Sequence, residues 1–425
     1  MDTKEIYGTL ENNSIGISDT KELFTLEEAM AAMFAGNAVL FVDGYDRAIK
    51  IGSKGYPGSG VQKTDSEKGL RGSKEAFSES VKMNTALIRK RIRNAKMKAE
   101  EKQVGRYSAT TTALLYLDGV VYQPICEEMR KRLNAFEVDG IEDSGMIEYL
   151  TRKKKEGRFP VYQTTERPDR AAQAILEGRV VLLTDNSPEA LIFPATLNSL
   201  FQTADDYYRN ERIVTFLRLI RYVAAFLALA LPGLYVAAAT FHPQLLPGNL
   251  IRSMAEARSG VPFPTAAEVL LMELSFELLR EAGLRMPGPA GNTIGIVGGL
   301  IVGQAAVSAN LVSPITVTVA ALTALGSFSI PNEELSEVFR LWKYGILLLG
   351  SCFGILGVML GCFLLLMLMA EQESYGIPWL YPYVGGNLNE RADEKDSMFL
   401  AAARKRKRRP IFAKWGNRIR FRRKS

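Results

Sequence analysis

The chain has 425 residues, more than one compact domain usually holds, and a formal net charge of +7. It carries one histidine, His242, and three cysteines, which excludes a Ser-His-Asp arrangement, a two-histidine metal site and a disulfide framework. No residue set suggests catalysis, a metal or a cofactor, so no enzyme activity is expected.

The N-terminus, MDTKEIYGTL, lacks the charged-then-apolar pattern of a signal peptide. Residues 25–36 read as a helix, with Leu26, Ala29, Met30 and Met33 at helical spacing and Gly36 as its stop. AVLFV (38–42) follows as a buried strand, and Asp43-Gly44 turns the chain. GYPGSG (55–60) has glycines loosely spaced like a phosphate loop. A polar stretch follows where a helix would have to open, so it reads as a flexible turn.

The second half of RGSKEAFSESVKMNTALIRKRIR (71–93) has a helical pattern. Arg89, Lys90, Arg91 and Arg93 crowd its C-terminal end, where cations complement the helix dipole. A solvated face and a docking surface for lipid or a partner both fit. TTALLYLDG (111–119) reads as a strand and CEEMRKRLNAF (126–136) as a helix. The opening pattern then returns: helix DRAAQAILEG (169–178), strand RVVLLT (179–184), turn at Asp185-Asn186. Setting Gly36 over Gly178 aligns Ala29 with Ala171, Val39 with Val181, Asp43 with Asp185 and Ala48 with Ala190, an internal duplication giving two similar α/β lobes.

After Arg218 and Arg221 the composition changes. Tyr222 to Phe241 carries no charge and is long enough to cross a hydrocarbon core of ~30 Å. His242 closes this stretch, and Pro232-Gly233 marks a potential break within it. Residues 264–285 are too charged to span and too apolar to dissolve, which suits a helix at the interface or packed against the bundle. On it Glu273 and Glu277, spaced four apart, read either as ordinary ion-pair partners or as a cation-concentrating vestibule.

Further apolar stretches cover 292–311, 313–331 and 345–370, giving four expected spans. In 292–311, Gly295, Gly299, Gly303, Ala306 and Asn310 share a face whose small residues allow close helix packing or oligomerisation. The roughly opposite stripe is Thr293, Val297, Leu300, Gln304 and Ser308, read as pore-lining with an apolar constriction or as interhelical contacts. The hydroxyls of 313–331 can bond back to helix carbonyls.

The end of the chain is strongly basic, with RKRKRR at 404–409. After a spanning helix such a run marks the cytoplasmic side and attracts anionic lipid; no nucleic acid is implied. The expected fold class is an α+β soluble N-terminal region of two similar α/β lobes followed by an all-α polytopic membrane domain. The expected divisions are 1–209 soluble, 210–371 transmembrane and 372–425 basic cytoplasmic tail, with both termini cytoplasmic.

Several blocks together resemble one family: the 71–93 segment, TERPDR (165–170), DDYY (205–208), TFHPQLLP (240–247), VPFPTAAEVLLMELSFELLREAGLRMP (261–287), GLIVGQAAVSANLVSP (299–314) and YGIPWLYP (375–382), with RPIF (409–412) in the tail. They look like the A-subunit family of bacterial spore germinant receptors, the GerA type, over about residues 25–384. Members usually carry an additional α/β segment before the first recognisable helix, so a shortened N-terminus is expected here.

The resemblance implies a multi-pass subunit in the inner membrane of the endospore, oligomerising around a ligand-gated cation-conducting path that triggers germination. It also implies partners, a transporter-like B subunit and a lipoprotein C subunit. A secondary transporter subunit and a non-conducting scaffold are the alternatives.

Overall fold

The fold is that of a computed structural model describing residues 20–34, 37–44, 46–51, 64, 67, 69, 71–153, 156–285, 289–384, 395–402, 404–414, 416 and 418–419. Side chains are defined for these except at 20, 31, 34, 284, 285, 289–297 and 300. The glycine-rich turn at 55–60 and the stop at Gly36 lie outside the described residues.

The first unit is β1 (Thr20–Leu23), α1 (Leu26–Phe34), β2 (Ala38–Phe41) and β3 (Ala48–Ile51), an antiparallel sheet in the order β1-β3-β2. Thr25 starts its helix by accepting from the Glu28 amide at 3.2 Å, while the Glu28 carboxylate accepts from the Phe24 amide at 3.0 Å. Ala29 and Ala32 pack on Leu23 and Ala48.

Next come α2 (Val81–Arg91), β4 (Met97–Val104), β5 (Thr110–Leu117), α3 (Gln123–Leu133), α4 (Ser144–Thr151), β6 (Gln163–Thr165), α5 (Pro168–Glu177), β7 (Val180–Thr184) and β8 (Ala190–Phe193). The strands form one antiparallel sheet in the order β4-β5-β7-β8-β6. Because side chains alternate along a strand, Val180 and Leu182 of β7 enter one core with Ile125, Met129 and Ile147. Val181 and Leu183 enter the other with Leu87, Ile88, Ala171 and Ile175. Both faces are covered, which is why RVVLLT reads as an unbroken apolar run. On α2 the terminal cations are partly matched locally: Lys90 and Arg91 both pair with Glu75.

The unit β6-α5-β7-β8 has the strand order of β1-α1-β2-β3. Under the alignment of Gly36 with Gly178, the pair Leu23↔Ala48 falls on Thr165↔Ala190, and Val39↔Lys50 falls on Val181↔Ile192.

The helical half comprises α6 (Glu211–Thr240), α7 (Gly248–Ala257), α8 (Thr265–Arg285), α9 (Pro289–Ser308), α10 (Pro314–Phe328) and α11 (Glu333–Glu371). By length and composition α6 is long and apolar enough to cross a membrane, as is the apolar run of α11, which is two helical arms meeting at Gly354. Helix α6 runs unbroken through Pro232, contrary to the expected break, and Gly233 lets it approach Ile346 and Val358 closely.

The expected single span over 345–370 is corrected. Gly354 adopts φ 63, ψ −144, a conformation open to glycine, and the chain reverses there. A Cβ on Gly361 would lie 2.9 Å from the Ile346 side chain, and one on Gly350 would lie 2.9 Å from Val358. In a straight helix Ile346 and Gly361 would be more than about 20 Å apart. The hairpin tip at Gly354 sits against Phe241 and His242, at the far end of α6. Residues 264–285 pack against the bundle on one side, where Val269 and Met272 are buried and Glu273 is bonded to Lys343 of α11, while Leu270, Leu271, Leu274 and Leu278 are exposed.

After α11 the chain returns to the α/β region. Tyr375, Ile377 and Tyr381 join the core that also holds Phe412, and the fully buried Trp379 donates to the Pro160 carbonyl at 2.7 Å. Ala413 packs so tightly over the end of α5 that a Cβ on Gly178 would come within 2.8 Å of it. Gly178 also has φ 94, so its position excludes a side chain twice. Part of the stretch expected as a basic tail is thereby built into the domain: RPIF contributes core, and Arg409 donates to the Leu176 carbonyl.

Candidate functional site

Two features that concentrate polar side chains at or within the helical half bear on function. The first is the junction at the base of α6. The turn Ala204–Tyr208 carries DDYY and is opened by Thr203, whose hydroxyl and amide both bond to Asp206. Asp206 is buried and takes Arg218 at 3.1 Å and Arg221 at 2.9 Å. Burial pushes the Asp206 carboxyl up, but Arg221 and Arg218 outweigh it and hold the group below the usual carboxylate range. Arg218 also reaches Asp396 at 3.0 Å, which binds Arg406 at 3.1 Å. The start of the first long helix, the DDYY turn and the C-terminal segment are therefore one ion-pair network.

The second feature is a cavity of about 1240 Å³ among α8, α9, α10 and α11. Glu273, Glu277, Gly299, Gly303, Gln304 and Ser308 all line it, so residues chosen from the sequence as packing, pore and vestibule positions share one space. Gln304 and Ser308 are exposed, Gly299 is half-buried and Gly303 is buried. Gly299 faces Phe276 of α8 and Gly303 faces Val317 of α10, so the small-residue face packs within the chain. The side chains of Thr293, Gly295, Val297 and Leu300 lie outside the described residues.

Glu273 meets Lys343 at 2.6 Å, both buried, and Glu277 is bonded to Arg340. Sequence reading missed these two cations. A signal existed: Arg340 and Lys343 are three apart on α11 and the two glutamates four apart on α8, so each pair shares one helix face. The Ser and Thr residues of α10 behave as their position suggests. Thr318 and Thr323 donate back to the carbonyls of Pro314 and Val319, while Thr316 bonds to the fully buried Glu268. Among the described residues no group of acidic, Cys or His side chains is arranged to hold a metal.

The profile of the Bacillus/Clostridium GerA spore germination proteins matches residues 2–412. The chain is 37% identical over 390 residues to an uncharacterised membrane protein, YfkQ, of Bacillus subtilis, covering 92% of this chain and 75% of that one. It is 36% identical to spore germination protein KA of Bacillus subtilis, covering 90% and 70%, and 35% identical to spore germination protein GerLA of Bacillus cereus, covering 89% and 77%. The crystal structure of the N-terminal domain of the A subunit of the Bacillus megaterium spore germinant receptor GerK3 aligns over 46% of this chain and 70% of that one. The identity is 26% and the TM-score 0.34, too low to bear on the fold.

Proposed function

We infer the role of this chain from its family: it belongs to the GerA spore germination proteins of Bacillus and Clostridium, and germination is the process it serves. It acts as the A-type membrane subunit of a nutrient-sensing germinant receptor. It sits in the inner membrane of the endospore beside a transporter-like B subunit and a lipoprotein C subunit. Copies of the chain assemble around a cation-conducting path lined by Thr293, Val297, Leu300, Gln304 and Ser308 of α9.

The observation that carries this reading is the exposure of Gln304 and Ser308 beside the 1240 Å³ cavity. Polar groups at membrane depth need a hydrogen-bonding neighbour or water, and α9 packs chiefly on α8, leaving that side open for another copy. That the N-terminal α/β region and the C-terminal segment lie on one side is supported by Phe412 and Ala413, which pack into the cores of the β4–β8 sheet. A cation vestibule at Glu273 and Glu277 requires their pairs with Lys343 and Arg340 to open.

A non-conducting scaffold is the second reading, and those same closed pairs favour it. Bilayer conductance of the reconstituted chain separates the two. Gln304→Leu, which removes the polar lining without adding charge, should lower conductance about tenfold or more while the oligomer size stays that of the parent. Absence of any conductance in a parent oligomer of normal size would leave the scaffold.

A further inference from the structure

A small chamber of about 50 Å³ lies where the C-terminal segment closes over the end of α5. Its wall includes Arg179, Arg406, Tyr207, Asp396, Glu177 and Phe412. Arg179 is only 5% exposed. Its Nε donates to the Pro194 carbonyl and its Nη1 to Gln163 Oε1, each at 2.9 Å, and its guanidinium lies over the Phe412 ring. All of these partners are neutral, and among the described residues no carboxylate forms an ion pair with it.

The second nitrogen, Nη2, is buried with no hydrogen-bond partner. Burial draws the Arg179 guanidinium down to about 10, so it stays charged at neutral pH. Glu177 nearby offsets this charge only in part, and with no carboxylate in ion-pair contact and Nη2 unpaired the position favours an anion.

A second cation of the lining repeats the pattern. Arg406 binds Asp396 through Nη1, and its Nε is also buried without a partner. Asp396 is already taken by Arg218, Arg406 and the Tyr207 hydroxyl at 3.0 to 3.1 Å, leaving it unable to serve Arg179. Glu177 accepts from Gln173. Two buried N–H groups, each on a cation, thus border one small space with no acceptor supplied by their neighbours. A water needs roughly 10–15 Å³ on this scale, so the chamber holds a few waters or one small ion and is far too small for a nutrient molecule.

We propose that this chamber binds a small monovalent inorganic anion of chloride size between the guanidinium groups of Arg179 and Arg406. The ion supplies the missing acceptor to both. Because Arg179 follows α5 and Arg406 belongs to the returning C-terminal segment, the anion ties that segment to the α/β domain. Its site adjoins the Asp396–Arg218 pair at the base of α6.

The test uses the full chain in detergent, with bromide as the probe and gluconate as the inert counterpart at constant ionic strength. The melting temperature should rise saturably with bromide and not with gluconate. Arg406→Gln should weaken the apparent bromide affinity about tenfold or more, and Arg406→Lys, which keeps the charge, should restore part of it. Anomalous diffraction from bromide-soaked crystals of the parent should place a peak in the chamber, a result that does not depend on any variant folding. Equal stability in the two salts, an Arg406→Gln titration like the parent's, or ordered water alone in the chamber would overturn the proposal.

Discussion

The helical half has a closed side and an open side, built from the same small-residue vocabulary. On the closed side, α6, α10 and the α11 hairpin approach so nearly that glycines are obligatory: a Cβ at Gly326 would lie 2.6 Å from the Ala224 carbonyl oxygen, and one at Gly350 would lie 3.0 Å from that of Gly233. On the open side, a Cβ at Gly299 would meet only Phe276, at 3.6 Å, which is ordinary contact. The GxxxG spacing is thus the same signal in both places, but only one of them uses it to bring backbones together. The difference teaches that the spacing permits close packing without showing where it occurs. The side left loose is the one with a cavity and exposed polar groups.

The largest effect is expected where the two sides meet. Lys343→Met leaves Glu273 buried without its partner, which should cost about 3–5 kcal/mol of stability. Adding Glu273→Gln should recover most of it, as thermal unfolding in detergent would register. If the single variant melts like the parent, the pair does not join α8 to α11, and the boundary between closed and open sides is drawn wrongly.

Next is the base of the closed side. The Asp206 carboxyl is held below its usual range, so the stability it contributes is complete above the unfolded value of about 3.9 and is lost as pH falls through the lower folded value. Melting temperature should therefore hold from neutral pH to about pH 4 and fall below it. In Asp206→Asn that acid limb should flatten, with stability reduced by several kcal/mol at neutral pH because Arg218 and Arg221 lose their shared partner. An acid limb identical in the two proteins would remove Asp206 as the anchor.

The smallest effect sharpens the contrast between glycines. Gly326→Ala should destabilise by about 1–3 kcal/mol, because the backbone it would strike cannot rotate away. Gly299→Ala should be neutral to slightly stabilising, within about 1 kcal/mol, since alanine is the better helix former and has room. Equal losses in both variants would erase the distinction between the two sides.

Much of the α/β region was legible from periodicity. The expected helix at 169–178 is Pro168–Glu177, the strand at 179–184 is Val180–Thr184, and the helix inside 71–93 is Val81–Arg91. The recurrence of one helix-strand-turn pattern around Gly36 and Gly178 foreshadowed matching strand registers, because register follows from alternation and turn placement. The site was legible only in part. Glu273 and Glu277 stood out as an acidic row spaced four apart and Gln304 and Ser308 as polar positions in an apolar helix; all four line one cavity, but the cations that pair with the two glutamates sit on another helix.

What the sequence determined by itself is what depends on neighbours along the chain: where helices and strands lie, which stretches are apolar enough for lipid, and the family blocks that mark a germination protein. Tertiary structure alone decided three things. Gly354 reverses the last apolar run because its φ of 63 is available to glycine and the hairpin arms then pack on each other. Residues 373–382 and 410–413 leave the expected tail because Trp379 packs with Phe159 and the helices and Phe412 fills a core built on β5, β7 and β8, all far away in sequence. Asp396 closes a network with Arg218 because burial forces each charge to find an opposite one, and nothing in local spacing says which it will be.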